Sequence, residues 1–235
     1  MISQVQILSL TPMQEDEMKD RPLSVLMGRD SDVIPLLVRI HAPRATSLRV
    51  LDVTYGKGTM WKGIREQFDL TTMDKDSEKD VDVVADFADM PFDDNSFEVI
   101  VFDPPHLPTN AASQNSSGMW RSRYGITNEK GAGRDGDNVC PMFGAFLDEA
   151  QRVMVGDGII LAKIADLVHN HRYQWQHVEF INEVRNRNMT ACDLLVKRDP
   201  AAGNLKSSKW MTVKHLRKAH CYWIVVRNNR RCEKR

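Results

Sequence analysis

The chain has no CxxC pair. Its four cysteines, Cys140, Cys192, Cys221 and Cys232, lie scattered. That spacing suits neither a zinc site nor a disulfide framework, so no metal is expected and the thiols read as those of a reducing compartment. No apolar run approaches the roughly 18 residues that a membrane span needs. The opening "MISQVQILSLTPMQEDEMKD" has no basic region before its apolar run and soon turns acidic. No export signal is expected, and the expectation is a cytoplasmic protein with no membrane partner. No repeat of 20–50 residues is visible. Net charge is absent too, but only as a sum. Residues 1–110 carry 11 basic and 20 acidic side chains, −9, and residues 111–235 carry 21 basic and 12 acidic, +9. Such asymmetry fits a polyanionic partner for the second half; solvated faces without a partner are the alternative.

What is present is enough chain for one large domain: 235 residues, 42% of them hydrophobic. Segment 31–44, "SDVIPLLVRIHAPR", places Val33, Leu36, Leu37 and Ile40 at helical spacing. Ser31 or Asp32 is a candidate cap, with Pro35 in the first turn. Short β-branched runs predict strands at 48–56, 69–76, 97–103, 190–198 and 219–228, a strand followed by a turn over 82–92, and a glycine turn followed by a strand over 155–166. Helices are expected at 59–68, 145–154 and 175–188. Strands alternating with helices imply a parallel sheet with right-handed crossovers. No helix signal separates the last two strands, so they are expected as an antiparallel hairpin at one sheet edge. The whole chain then reads as one domain with four additions: an N-terminal extension (1–47), an insertion (107–141), a basic loop (199–218) and a basic tail (229–235). Long loops in compact domains are often functional.

The first candidate site is "LDVTYGKGT" (51–59), which sets Gly56 and Gly58 at a strand-to-helix turn. Glycines there let backbone N–H groups approach a ligand. The stretch is neither G-x-G-x-x-G nor a P-loop. Asp74 ends the next strand about 20 residues on, where a diol-binding acid falls in doubly wound folds. Asp86 and Phe87 end the third strand, suiting an exocyclic amine and a purine face. The segment between is acid-rich throughout, so solvated acids are the alternative.

The second candidate site is "VIVFDPPH" (99–106). The fourth strand delivers Asp103 to the same sheet edge as the glycine turn. Proline cannot continue a ladder inside a sheet, and two in succession fix φ at both positions. The Asp103 carboxylate and the Pro104 and Pro105 carbonyls thus form a rigid acceptor array beside the His106 ring. Two acceptors suit the two N–H bonds of an exocyclic amino group, and an aromatic neighbour suits a base that has left its duplex.

Together these stretches resemble class I S-adenosylmethionine-dependent methyltransferases. "LDVTYGKGT" resembles their first motif, with Tyr55 where Gly or Ser is more usual. "DPPH" is similar to the D/N/S-P-P-Y/F/W motif of amino-methyltransferases acting on adenine N6 or cytosine N4, with His106 in place of Tyr or Phe. Residues 161–189 and 216–228 resemble the closing part of small bacterial and phage DNA methyltransferases, whose fifth strand carries a Lys matched by Lys163. The likeness spans roughly 48–228. It implies a Rossmann-like fold with a seven-stranded, mostly parallel sheet, and S-adenosylmethionine as cofactor. Asp52 is implied beside the cofactor's ammonium, with Thr54, Tyr55, Gly56, Gly58, Asp74, Lys75, Asp86 and Phe87 completing the cofactor set. Asp103, Pro104, Pro105 and His106 are the implied catalytic array.

Basic and aromatic residues interleave at 119–125, 172–177 and 206–218. Lys and Arg contact phosphates, while Trp and Tyr stack bases. Arg121, Arg123, Lys206, Lys209, Lys214, Arg217 and Lys218 are therefore candidate nucleic-acid contacts, Lys163 joins them through the resemblance, and the 107–141 insertion is a candidate lid and sequence reader. Trp175 and Tyr173 are read as packing residues. The resulting expectation is a DNA methyltransferase working on a flipped base in duplex DNA. Adenine N6 is favoured over cytosine N4, because Asp opens the second motif. RNA base methylation, small-molecule methylation and a catalytically silent scaffold are the rivals.

Overall fold

The computed structural model describes residues 22–42, 48–104, 140–169, 172–198 and 219–229. In chain order these form β1 (Val25–Met27), α1 (Asp30–His41), β2 (Arg49–Asp52), β3 (Asp69–Asp74), β4 (Val83–Val84), β5 (Phe97–Phe102), α2 (Cys140–Val153), β6 (Met154–Ile164), β7 (Leu167–His169), β8 (Arg172–Gln174), α3 (Gln176–Asn186), β9 (Met189–Arg198) and β10 (His220–Asn228). Eight strands make one sheet in the order β1-β9-β10-β6-β5-β2-β3-β4. Seven run parallel and β10 alone is reversed, pairing with both β9 and β6. This is a Rossmann-like, doubly wound sheet with an antiparallel C-terminal hairpin. Strand order reverses between β2 and β5, which makes the crevice beyond their C-terminal ends the switch point where ligands bind in such sheets. No helix among the described residues is long and apolar enough to cross a membrane.

Strand alternation sorts the side chains onto two faces. Leu51, Ile100, Phe102, Ile160, Ala162 and Ile224 pack under α2 and α3. Val50, Val99, Val101, Leu161, Leu195 and Trp223 pack under α1, against Val33, Ile34, Leu37 and Val38. Each fully buried aliphatic side chain stabilises the fold by about 1.5–3 kcal/mol. Both faces are covered, which is why the central strands read as continuous apolar runs rather than alternating ones.

Five expectations need correction. The sheet has eight strands, not seven: β1, from the segment before the first motif, pairs in parallel with β9. Three residues carry no periodic signal, and their pairing is wholly long-range. The β9–β10 hairpin is consequently not at the sheet edge, because β1 lies outside it. The helix expected over 59–68 is two 3₁₀ turns, Thr59–Trp61 and Arg65–Gln67. Gly63, at φ +82°, interrupts it, and Trp61 turns inward to a polar partner. The strand expected to run from 82 to Asp86-Phe87 narrows to Val83–Val84. Finally, α1 starts at Asp30 with Arg29 as its cap, two or three residues before the expected caps Ser31 and Asp32. Arg29 N–H donates to the Asp32 carboxylate at 2.8 Å. Pro35 therefore stands in the second turn rather than the first. The short hairpin β7–β8 was not expected.

Candidate active site

The turn after β2 is built around Asp52, which is fully buried. Thr54 N–H donates to its Oδ1 at 2.9 Å, and the Trp61 indole N–H donates to its Oδ2. Burial pushes Asp52 up to about 7, partly offset by those two hydrogen bonds and reinforced by Asp103 and Asp74 nearby. Asp52 thus organises the turn from within. Gly56 and Gly58 adopt φ +59° and +63°, the left-handed region that other residues occupy at a cost of about 1–2 kcal/mol. A Cβ at Gly58 would run into the Tyr55 ring and hydroxyl. Tyr55 lies across the turn, held by Arg65 Nη1 at 2.8 Å from its hydroxyl. At Gly56 a Cβ would meet only the Thr54 carbonyl, at 3.9 Å, so that part of the turn stands open.

Asp74 locks the turn to the end of β3. Gly56 N–H donates to Asp74 Oδ2 at 2.8 Å, and Asp76 N–H donates to Oδ1 at 3.0 Å. Asp86 accepts from Ala88 N–H at 3.0 Å, and Lys75 Nζ lies 3.5 Å from its Oδ2. That pair is exposed and holds little energy. Phe87 is half-buried, edge-on to Phe102 at 5.4 Å and Phe146 at 6.2 Å. Phe102 in turn stacks on Phe146 at 3.7 Å. The glycine turn, Asp74, Asp86 and Phe87 therefore share the C-terminal edge of β2, β3 and β4.

Asp103 follows β5 at the switch point. Its backbone N–H donates to Thr54 Oγ1 at 2.7 Å, tying it to the glycine turn. Lys163 Nζ donates to Asp103 Oδ2 at 2.9 Å and to Asp30 Oδ2 at 3.0 Å. Burial would lower the Lys163 pKa, but Asp103 and Asp30 outweigh it, and the ammonium is held above its ordinary range. Only 16% of the Lys163 side chain is exposed. Lys163, expected as a phosphate contact, stands instead inside the site as the partner of Asp103. Pro104 is buried directly behind Asp103. Pro105, His106, Arg121, Arg123, Lys206, Lys209, Lys214, Arg217 and Lys218 lie outside the described residues, as do the 107–139 part of the insertion and the basic loop and tail (199–218 and 230–235).

A second polar cluster stands at the end of β6. Asp166, 4% exposed, accepts from the Tyr173 hydroxyl at 2.9 Å and from His177 N–H at 3.2 Å. His177 Nδ1 lies 2.7 Å from Asp166 Oδ1, and its ring stacks on Tyr222 at 4.1 Å. Trp175 covers Tyr173 at 4.2 Å and is half-exposed. Tyr173 packs as expected, whereas Trp175 keeps an open face. Sequence reasoning missed Asp30, Lys197, Thr54 as a partner of Asp103, and Asp166. A usable signal existed for the lysines: "FD", "AK" and "VK" place Asp103, Lys163 and Lys197 in step at successive strand ends.

No protein-family model matches the chain, and no curated protein matches it. Among solved structures, the 1,6-didemethyltoxoflavin-N1-methyltransferase of Burkholderia thailandensis is 12% identical, with TM-score 0.49, over 85% of this chain and 76% of that one. A SAM-dependent methyltransferase of Methanosarcina mazei is 11% identical, with TM-score 0.49, over 80% and 96%. A candidate DNA modification methylase of Thermus thermophilus is 12% identical, with TM-score 0.36, over 59% and 47%. At these identities the likeness concerns the path of the chain, and no residue's role is carried over from it.

Proposed function

We propose that this chain is an S-adenosylmethionine-dependent methyltransferase that modifies the exocyclic amino group of a base in DNA, adenine N6 by preference. The observation that carries the proposal is Asp103. Its carboxylate stands at the switch point, fixed through its backbone to the glycine turn and through Oδ2 to Lys163. A group fixed on both sides needs little reorganisation when it receives an amino N–H, which is how positioning lowers a barrier. An ionised carboxylate offers about four lone-pair sites for N–H donors. Pro104 stiffens the backbone behind it.

The cofactor suits the residues present. The open side of Gly56 admits a ligand close to the backbone, and Asp74 and Asp86 stand at strand ends suited to ribose hydroxyls and an adenine amine. When bound, the cofactor supplies an electrophilic methyl group. Asp103 orients the acceptor nitrogen and balances the positive charge that develops there. Duplex DNA as acceptor draws its support from the +9 charge of residues 111–235 and from the Asp-Pro-Pro motif.

The test is methyl incorporation from labelled cofactor into duplex DNA, single-stranded DNA and RNA, with calorimetry of cofactor binding alongside. Asp103→Ala is expected to abolish transfer while cofactor affinity stays within twofold. Full transfer by that variant overturns the proposal. Incorporation into RNA alone would replace DNA as the acceptor.

A further inference from the structure

The α1 face of the sheet carries a row of charges that its apolar positions do not predict. Val99 and Val101 are followed in step by Asp103, Leu161 by Lys163, and Leu195 by Lys197. Period-two alternation puts all three on the same face, at the C-terminal ends of β5, β6 and β9. Asp30, the first residue of α1, closes the row from above. Lys163 Nζ lies 2.9 Å from Asp103 and 3.0 Å from Asp30, and Lys197 Nζ lies 2.6 Å from the other oxygen of Asp30. The buried thiol of Cys221 sits among the four, pushed up to about 11 chiefly by burial.

Resting on the proposed function above, we infer that Lys163, Asp30 and Lys197 are positioning residues for Asp103. The segment before the first motif thereby completes the catalytic end of the sheet. The signs alternate along the row, so every charge has an opposite neighbour and the sum is zero. Half-buried ion pairs are an expensive way to stabilise a sheet, since apolar residues of similar volume often serve as well. Their gain is geometry: each link fixes the next, and the last one fixes Asp103. Lys163 bridges two carboxylates that would otherwise repel each other. Asp30 keeps Lys163 from swinging toward solvent, and Lys197 does the same for Asp30. Asp30 is 133 residues from Lys163 in sequence, and the β1–β9 pairing brings the start of α1 onto this row.

Asp30→Asn preserves shape and removes the charge that holds Lys163. It is expected to lower kcat about tenfold, since a small misplacement of a reacting group can cost up to about a hundredfold. Cofactor affinity should stay within twofold, and Asp30→Glu should recover most of kcat. Lys197→Met leaves the other three residues charged. It is expected to lower kcat about threefold, as a weaker misplacement one link further out. Wild-type kcat in both Asp30→Asn and Lys197→Met overturns the inference. So does a fall in kcat matched by an equal fall in cofactor affinity, or an Asp30→Glu protein no better than Asp30→Asn. If Asp30→Asn does not melt cooperatively, Lys197→Met alone decides by the same criteria. Asp103→Ala separates the two proposals: an active Asp103→Ala sinks the proposed function, whereas an inactive one with unaffected Asp30 and Lys197 variants sinks only the positioning row.

Discussion

Replacing Asp52 by Asn should change how stability depends on pH more than it changes stability itself. In the folded protein burial away from water pushes Asp52 up to about 7, from an ordinary carboxylate value of 3.8. Between those values the unfolded chain releases the proton and the folded chain keeps it. Stability therefore falls as pH rises through this window, by 1.36 kcal/mol per unit, and levels off above it. The window of about 3.2 units corresponds to at most about 4 kcal/mol. The variant lacks this term. It carries a constant one instead: Thr54 N–H and the Trp61 indole approach different oxygens, and an amide has only one acceptor to offer. One donor is left facing an NH₂ group, at about 1–3 kcal/mol. Wild type should thus be the more stable protein near pH 4, and the gap should narrow or reverse by pH 8. Urea unfolding at half-unit pH steps measures both curves, and groups that do not interact with Asp52 cancel in their difference, leaving Asp52 with its neighbours Asp103 and Asp74. Parallel curves from pH 4 to 8 would refute the burial argument for Asp52.

Gly58→Ala should destabilise the fold by about 1–2 kcal/mol from its left-handed φ alone. It should also push Tyr55 off the turn and, on the function proposed above, weaken S-adenosylmethionine binding; a wild-type melting temperature would count against this. Asp166→Ala leaves the Tyr173 hydroxyl and the His177 N–H without their acceptor, a loss of about 2–3 kcal/mol. Urea denaturation checks it, and a change under 0.5 kcal/mol, the scale of an ordinary surface substitution, would contradict the packing described at the end of β6.

The doubly wound sheet was legible because its signals are local. Continuous apolar runs such as "VIVF" and "GIILA" mark strands buried on both faces, and glycines or acids mark where they stop. The glycine turn, Asp74 and Asp103 could be placed at one sheet edge for the same reason: each sits where a strand ends, and parallel strands end on one side. The failures were also physical. Over 59–68 the composition favours a helix, yet Gly63 breaks it and the buried Asp52 draws the Trp61 indole inward. β1 is too short to carry a pattern and exists through its pairing with β9.

Sequence by itself determined the ends of the central apolar strands, where the backbone is stiffened by proline, and where it is freed by glycine. These follow from single-residue sterics and from period-two alternation, which need no neighbour. Only the tertiary structure decided what those strand ends touch. It turned Lys163 from a candidate phosphate contact into the partner of Asp103, and it brought in Asp30 and Lys197. It also moved Asp52 into an interior where water no longer stabilises its charge. Ion pairing and desolvation depend on which strands lie side by side and on what covers them, and no local stretch of chain contains that information.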